Sequence, residues 1–223
     1  MDLLQEIGAA ALGVAEYRVL SEHREYLDRW LSEAYEGELA YMRKHRREDP
    51  RIILPECKSL MVILFAPQKW SYHSYIRRRL KRLNKILLEY DSSIISRGVV
   101  DSAPLLERAW GVEASLGWIG KNSMLINPQL GSDFNIGVLL TSATVEELLA
   151  IEVLDHAVQR SRVAVVDGCR GCGEYCRAAC PGGAIQDDRV IDSRLCHSYL
   201  SQREGWAELG CRVCQEVCVF RRV

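Results

Sequence analysis

Leu60-Met61-Val62-Ile63-Leu64-Phe65-Ala66 is a continuous apolar run bounded by Lys58 and Pro67, and it predicts a strand buried on both faces. Tyr75 to Tyr90 has the helical period instead. Ile76, Leu80, Leu83 and Leu87 share one side, and Arg77, Arg78, Arg79, Lys81, Arg82 and Lys85 lie on or near the other. Upstream, Leu3 to Leu12 predicts a helix stopped by Gly13, followed by a short strand at Val14-Ala15-Glu16-Tyr17. Ser21 to Ala34 predicts a helix capped by Ser21, with Glu22 and Glu25 in its first turn. The charged run from Arg43 to Asp49 reads as a solvated helix face. Downstream, Val99-Val100 leads into Asp101-Ser102-Ala103-Pro104, and Leu105 to Leu116 predicts a helix stopped by Gly117. Ser123 to Ile126 and Asn135 to Leu140 predict short strands joined through a turn at Pro128 and Gly131. Val145 to Arg160 predicts a helix with Leu148, Leu149, Val153 and Leu154 inward. This imperfect alternation predicts an α/β (α+β) domain over residues 1–160, followed by a small cysteine-rich module over residues 161–223.

The 223 residues, 48% of them hydrophobic, suffice for one full domain and a small one. A net charge of -1 predicts no strong global attraction to nucleic acid or to a membrane. The first twenty residues have early acidic side chains, no basic leader and no long apolar core, so neither a signal peptide nor a membrane span is expected there. With clustered thiols, that points to a reducing cytoplasm.

The thiols change the picture most. Of nine cysteines, Cys57 stands apart and the other eight form two groups. One is Cys169-x2-Cys172-x3-Cys176-x3-Cys180-Pro181; the other is Cys196 followed by Cys211-x2-Cys214-x3-Cys218. In two-cluster ferredoxins three cysteines of a run hold one 4Fe–4S cluster, and the fourth, before proline, crosses to the other. Read that way, Cys169, Cys172, Cys176 and Cys218 hold one cluster; Cys196, Cys211, Cys214 and Cys180 hold the second. The spacing departs from that pattern twice. One extra residue sits among Gly173, Glu174 and Tyr175, and Cys218 is followed by Val219 rather than proline. Disulfides would need an oxidising compartment. Paired zinc sites also use C-x2-C, but zinc ribbons place their pairs far apart, whereas four of these cysteines fall inside twelve residues.

Three further stretches carry candidate chemistry. Asp101 follows two valines: its plain role is a cap before Pro104, and its functional role is a carboxyl raised by an apolar pocket into a proton donor. Leu116-Gly117-Trp118-Ile119-Gly120-Lys121-Asn122 makes a loop whose backbone can approach a flat or anionic group; it is too short for a phosphate-binding P-loop. Trp70-Ser71-Tyr72-His73-Ser74-Tyr75 heads the basic helix, where a lone histidine is usually a surface or capping residue.

Together these stretches resemble the epoxyqueuosine reductase family. The resemblance is carried by Val100 to Trp110, Leu116 to Asn122, Leu125-Ile126-Asn127-Pro128, Gly37-Glu38-Leu39-x-Tyr41-Met42, and the double-cluster module with Cys196-His197-Ser198-Tyr199-Leu200 and Gly210 to Cys218. It implies a nitroreductase-like cobalamin domain followed by a ferredoxin-like double 4Fe–4S module. It also implies an oxidoreductase that reduces the epoxide of epoxyqueuosine at the tRNA wobble position, the last step of queuosine biosynthesis. Reductive dehalogenases share this plan. By the same resemblance Asp101 is the proton donor. Tyr72, His73, Ser102, Ala103, Gly117, Trp118, Ile119, Gly120, Lys121 and Asn122 meet cobalamin, with Lys121 reaching a polar edge. The basic helix and Arg43 to Arg47 would meet tRNA phosphates. A flavodoxin or ferredoxin is the implied electron donor.

Departures from the family pattern are specific. Pro67-Gln68-Lys69-Trp70-Ser71 replaces a glycine-containing segment, Val138 stands where glutamate is usual, and the linker before Cys169 is long. Members normally continue into a tRNA-holding region beyond the last cysteine, whereas this sequence stops at Val223, a short form. An electron-transfer protein without cobalamin, or a zinc-stabilised RNA-binding module, are the readings from other classes.

Overall fold

The computed structural model describes residues 2–44, 46–67, 72–164, 166–186, 189–202 and 211–221. Its strands are β1 (Ala11–Glu16), β2 (Ser59–Phe65), β3 (Ser96–Val99), β4 (Trp118–Ile119), β5 (Leu125–Ile126) and β6 (Asn135–Thr141). The helices of the first domain are α1 (Leu3–Ile7), α2 (Ser21–Ser32), α3 (Tyr72–Tyr90), α4 (Glu107–Glu113), α5 (Val145–Leu149) and α6 (Glu152–Ser161). Four strands form an antiparallel sheet in the order β1-β2-β6-β3, and β4 pairs with β5 beside it. The expectation of a mixed α and β fold holds, in its α+β form.

Every residue of β2 is buried, because the sheet is covered twice. Met61, Ile63 and Phe65 face α1, α3, α5 and α6, while Leu60, Val62 and Leu64 face Trp110 and Ala109 of α4. The period of two along a strand thus feeds two separate cores. Helix α3 buries Ile76, Leu80, Leu83 and Leu87, the four positions its period predicts. Val138 lies fully buried between Val62 and Val99.

Several boundaries differ from expectation. Helix α1 ends at Ile7 because Gly8, at φ 63°, turns left-handed and its N–H closes the last turn. Gly13 therefore lies inside β1, opposite Val62. Ser21 is the first helical residue of α2 rather than its cap, and makes no capping bond. The expected helix from Val145 to Arg160 breaks at Ile151, which is extended at ψ 104° and buried. The break rotates the second half, so Val153 faces solvent while Leu154 and Ala157 go inward. Nor is the run from Arg43 to Asp49 a solvated face: Arg47 and Glu48 are buried.

The cysteine-rich module is clamped rather than tethered. Val163 N–H donates to Ser115 O at 3.0 Å just past α6. From the N-terminal arm, Tyr26 Oη donates to Arg189 O and Trp30 Nε1 to Ile191 O, each at 2.7 Å. Ser193 N–H donates to Tyr35 O at 2.8 Å. No helix among the described residues is long and apolar enough to cross a membrane.

Candidate active site

Asp101 stands at the end of the strand that enters α4, in a left-handed conformation at φ 56° that aspartate tolerates better than most residues. It does not cap α4, whose flanking residue is Leu106. Its side chain is 63% exposed, and Oδ2 accepts a 2.7 Å hydrogen bond from Tyr72 Oη. Nε2 of His73 lies 3.2 Å from the same oxygen, and the two rings stack at 4.0 Å. The first turn of α3 thus holds the carboxylate. Burial, and then the bond to Asp101, raise the Tyr72 phenol above its usual range. Residues 68–71, with Trp70 and Ser71 of the aromatic stretch, lie outside the described residues.

Behind Asp101 the site contains residues that the sequence reading passed over. Glu107, the first residue of α4, is half-buried, and its Oε1 is covered and without a partner among the described residues. Burial pushes its carboxyl up to about 7, with the charge of Asp101 adding to the effect. Arg47 donates to Ala103 O and Tyr41 O, at 3.3 Å and 3.1 Å, and lies over the Tyr41 ring. Arg108 faces open solvent although protein walls its other sides, and the crowding lowers its pKa. It donates to Ser123 O at 2.8 Å, and the thiol of Cys214 is near enough to act on its charge. Asp101 and Cys214 both act on the charge of Arg108, which so stands between the acid and the second thiol set. Ser102 is exposed beside Asp101, and Ala103 half-buried. Charged side chains opening an otherwise apolar helix were the available signal for Glu107 and Arg108.

The loop from Gly117 to Asn122 faces the module. Gly117, at φ 152°, packs so closely on β5 that a Cβ would come within 2.0 Å of Ile126 O. Gly120 abuts the Ile126 side chain. Close approach here serves the β4–β5 pair itself. Trp118 is buried against Phe220, edge to face at 4.9 Å, together with Cys169 and Cys218. Ile119 is half-buried against the α4 side of the sheet. Lys121 is paired with Glu174, and buried Asn122 donates to Cys214 O at 3.3 Å. Gly117→Ala forces a backbone shift with no flexible neighbour to yield; it should destabilise the protein by about 3 kcal/mol, read from the denaturant midpoint.

The eight thiols separate into two sets. Cys169, Cys172, Cys176 and Cys218 line one cavity, with Lys121, Ile126 and Phe220 completing its wall. Burial, reinforced by Cys169 and Cys172, pushes up the thiols of Cys176 and Cys218. In the other set Cys196 is raised by burial and then by Cys211 and Cys180; Cys214 is pushed up to about 12 by burial and then by the same two thiols. Thiols so placed charge readily only when a cation lies among them. None of the nine cysteines is in a disulfide. Helical turns at Tyr175–Ala178 and Val213–Glu216 carry Cys176 and Cys214 in equivalent positions. Each sits four residues before the cysteine that crosses to the other set. The extra residue of the first run is absorbed where Glu174 turns left-handed at φ 53°, which aims its carboxylate at Lys121.

A two-core α+β domain closed by a module with two thiol sets suits a class, the oxidoreductases. No family model matches the chain. Curated epoxyqueuosine reductases match it along most of its length. That of Cyclobacterium marinum is 33% identical over 97% of this chain and 76% of its own. That of Synechococcus sp. (strain RCC307) is 36% identical over 88% of this chain and 65% of its own, and that of Escherichia coli K12 is 30% identical over 97% and 63%. The chain belongs to the epoxyqueuosine reductase family. Among solved structures, epoxyqueuosine reductase from Streptococcus thermophilus superposes with a TM-score of 0.78 at 24% identity, over 99% of this chain and 65% of that one. Another, an epoxyqueuosine reductase with an epoxyqueuosine-modified tRNA-Tyr stem loop, gives 0.75 at 22%, over 97% and 62%. These two establish the fold, and the chain spans less than two thirds of either.

Proposed function

We propose that this chain reduces the epoxide of epoxyqueuosine in tRNA to the alkene of queuosine. The observation carrying the reading is an acid held by two aromatic side chains, beside an arginine on which both that acid and the thiol of Cys214 act. Cys169, Cys172, Cys176 and Cys218 would hold one 4Fe–4S cluster, and Cys196, Cys211, Cys214 and Cys180 the other. The donor chemistry fits: Cys169, Cys172, Cys176 and Cys218 line one cavity, Cys180 and Cys211 act on both Cys196 and Cys214, and the buried indole N–H of Trp118 has no acceptor among the described residues. Arg108 and Ser102, exposed beside Asp101, would offer donors to the carboxamide rim of cobalamin. When bound, cobalamin would supply a metal centre that takes electrons singly and delivers them to the epoxide carbon.

The chain's own residues do the rest. Tyr72 and His73 fix the carboxyl of Asp101, which passes a proton to the epoxide oxygen. Asn122 and Lys121 tie the first domain to the module. Cys176 and Cys214, on helical turns that pack together, bring the two sets near each other. The tRNA reading draws on the stem-loop complex of the structural relative and on a stripe of exposed side chains. Arg77 and Lys81 follow His73 at intervals of four along α3 and lead away from Asp101. Arg47, expected at the phosphates, is buried and braces the acid loop instead. A flavodoxin or ferredoxin in a reducing cytoplasm is the proposed electron source.

Anaerobic purification, reconstitution with iron, sulfide and cobalamin, and metal analysis test this reading. We expect one cobalt and about eight irons per chain, and queuosine from epoxyqueuosine-containing tRNA by nucleoside mass spectrometry. Iron without cobalt, and no product, would make the protein an electron carrier.

A further inference from the structure

Converting an epoxide to an alkene and water consumes two electrons and two protons. The first proton reaches oxygen as one C–O bond opens, and the second as the other C–O bond breaks and water leaves. A one-electron carrier supplies the electrons in two steps. Asp101 can carry one proton at a time, and its side chain is 63% exposed. A substrate bound over that side chain would cut its exchange with bulk water, and the second proton would then have to come from a group already beside it.

We infer that Glu107 is the proton store that recharges Asp101 within a single turnover, an inference that rests on the epoxide-reduction reading. Its covered, unpartnered Oε1 is tolerable as a neutral acid and costly as a carboxylate. The groups facing it from each packed element are Asp101 from the preceding loop, Arg108 on α4 itself, Arg47 from the arm and Tyr72 from α3. Burial outweighs the two arginines and leaves the acid at about 7. Tyr72 is the poorer candidate, since its hydrogen already serves Asp101 and burial raises its pKa further. Glu107 does not touch the reacting atoms in this account; it positions and resupplies a proton through Asp101.

The test uses the reconstituted holoenzyme and the isosteric Glu107→Gln, with Glu107→Asp as the conservative variant. We expect Glu107→Gln to lower kcat about a hundredfold with KM unchanged, to abolish the pH limb near 7 present in the parent, and to be partly rescued by Glu107→Asp. A second readout needs no activity. The protonated-carboxyl stretch in infrared spectra of the cofactor-free protein should titrate near 7 and vanish in Glu107→Gln. The fold should also lose stability as pH rises from 4.5 through about 7, because the folded acid holds its proton more tightly than the unfolded one. Glu107→Gln should remove that slope. A folded Glu107→Gln with parental kcat and pH profile, or a parent without the titrating band, overturns the inference while the functional reading stands. A parent that takes up cobalt and iron yet leaves epoxyqueuosine unchanged overturns the functional reading and the inference with it.

Discussion

Replacing Asp101 with Asn lowers turnover by about 10²- to 10⁴-fold, the span of a lost general acid, while metal content and fold stay as they were. The amide keeps the size of the carboxyl and tolerates the left-handed backbone at φ 56°, and a side chain 63% exposed contributes little to packing. It keeps an oxygen for Tyr72 Oη as well, so the aromatic clamp persists. What it lacks is the proton. The neighbouring phenol offers an independent check. Burial and the bond to Asp101 both raise Tyr72, so with the charge removed its ionisation should move down in an ultraviolet pH titration. Retained turnover with a shifted phenol would leave Asp101 as a structural partner of Tyr72 and remove it from the chemistry.

Much of this architecture is legible in the residue pattern, and the failures share a cause. The run from Leu60 to Ala66 and the stripe Ile76, Leu80, Leu83 and Leu87 are read correctly because burial there follows the local period. The helix from Val145 to Arg160 is misread because its period continues through Ile151, where the packing of the chain onto β1 calls for an extended residue. Arg47 and Glu48 look solvated because part of what covers them lies elsewhere in sequence: beside the local Tyr41 and Arg46, Ala103 accepts from the arginine and Arg24 pairs with the glutamate. Glu107 was hidden in the same way, since its setting comes from Asp101, Arg47 and Tyr72 on three other segments. The two cysteine runs are plain in the spacing, yet the left-handed Glu174 that absorbs the extra residue of the first is not. Local periodicity reports which face is covered; it does not report what covers it.

Replacing Cys218 with Ala should remove about four of eight irons and abolish the signal of the cluster that Cys169, Cys172 and Cys176 would hold. The second signal should survive. Cys218 is separated from those three by the whole of the second run, but it lines their cavity and packs with Trp118 and Phe220 against Cys169. Loss of that corner opens the cavity beside Phe220 and Val219, and Val219 is exposed already. Metal affinity in such a module is also folding energy, so the variant should unfold at lower denaturant, with Trp118 fluorescence reporting the change. The reciprocal variant, Cys180→Ala, should damage the other set, because Cys180 acts on Cys196 and Cys214 and its sulfur already accepts the Ala184 N–H at 3.3 Å. If Cys218→Ala instead abolishes the signal tied to Cys196, the two runs do not exchange their last cysteines. The route from Cys176 to Cys214 would then have to be redrawn.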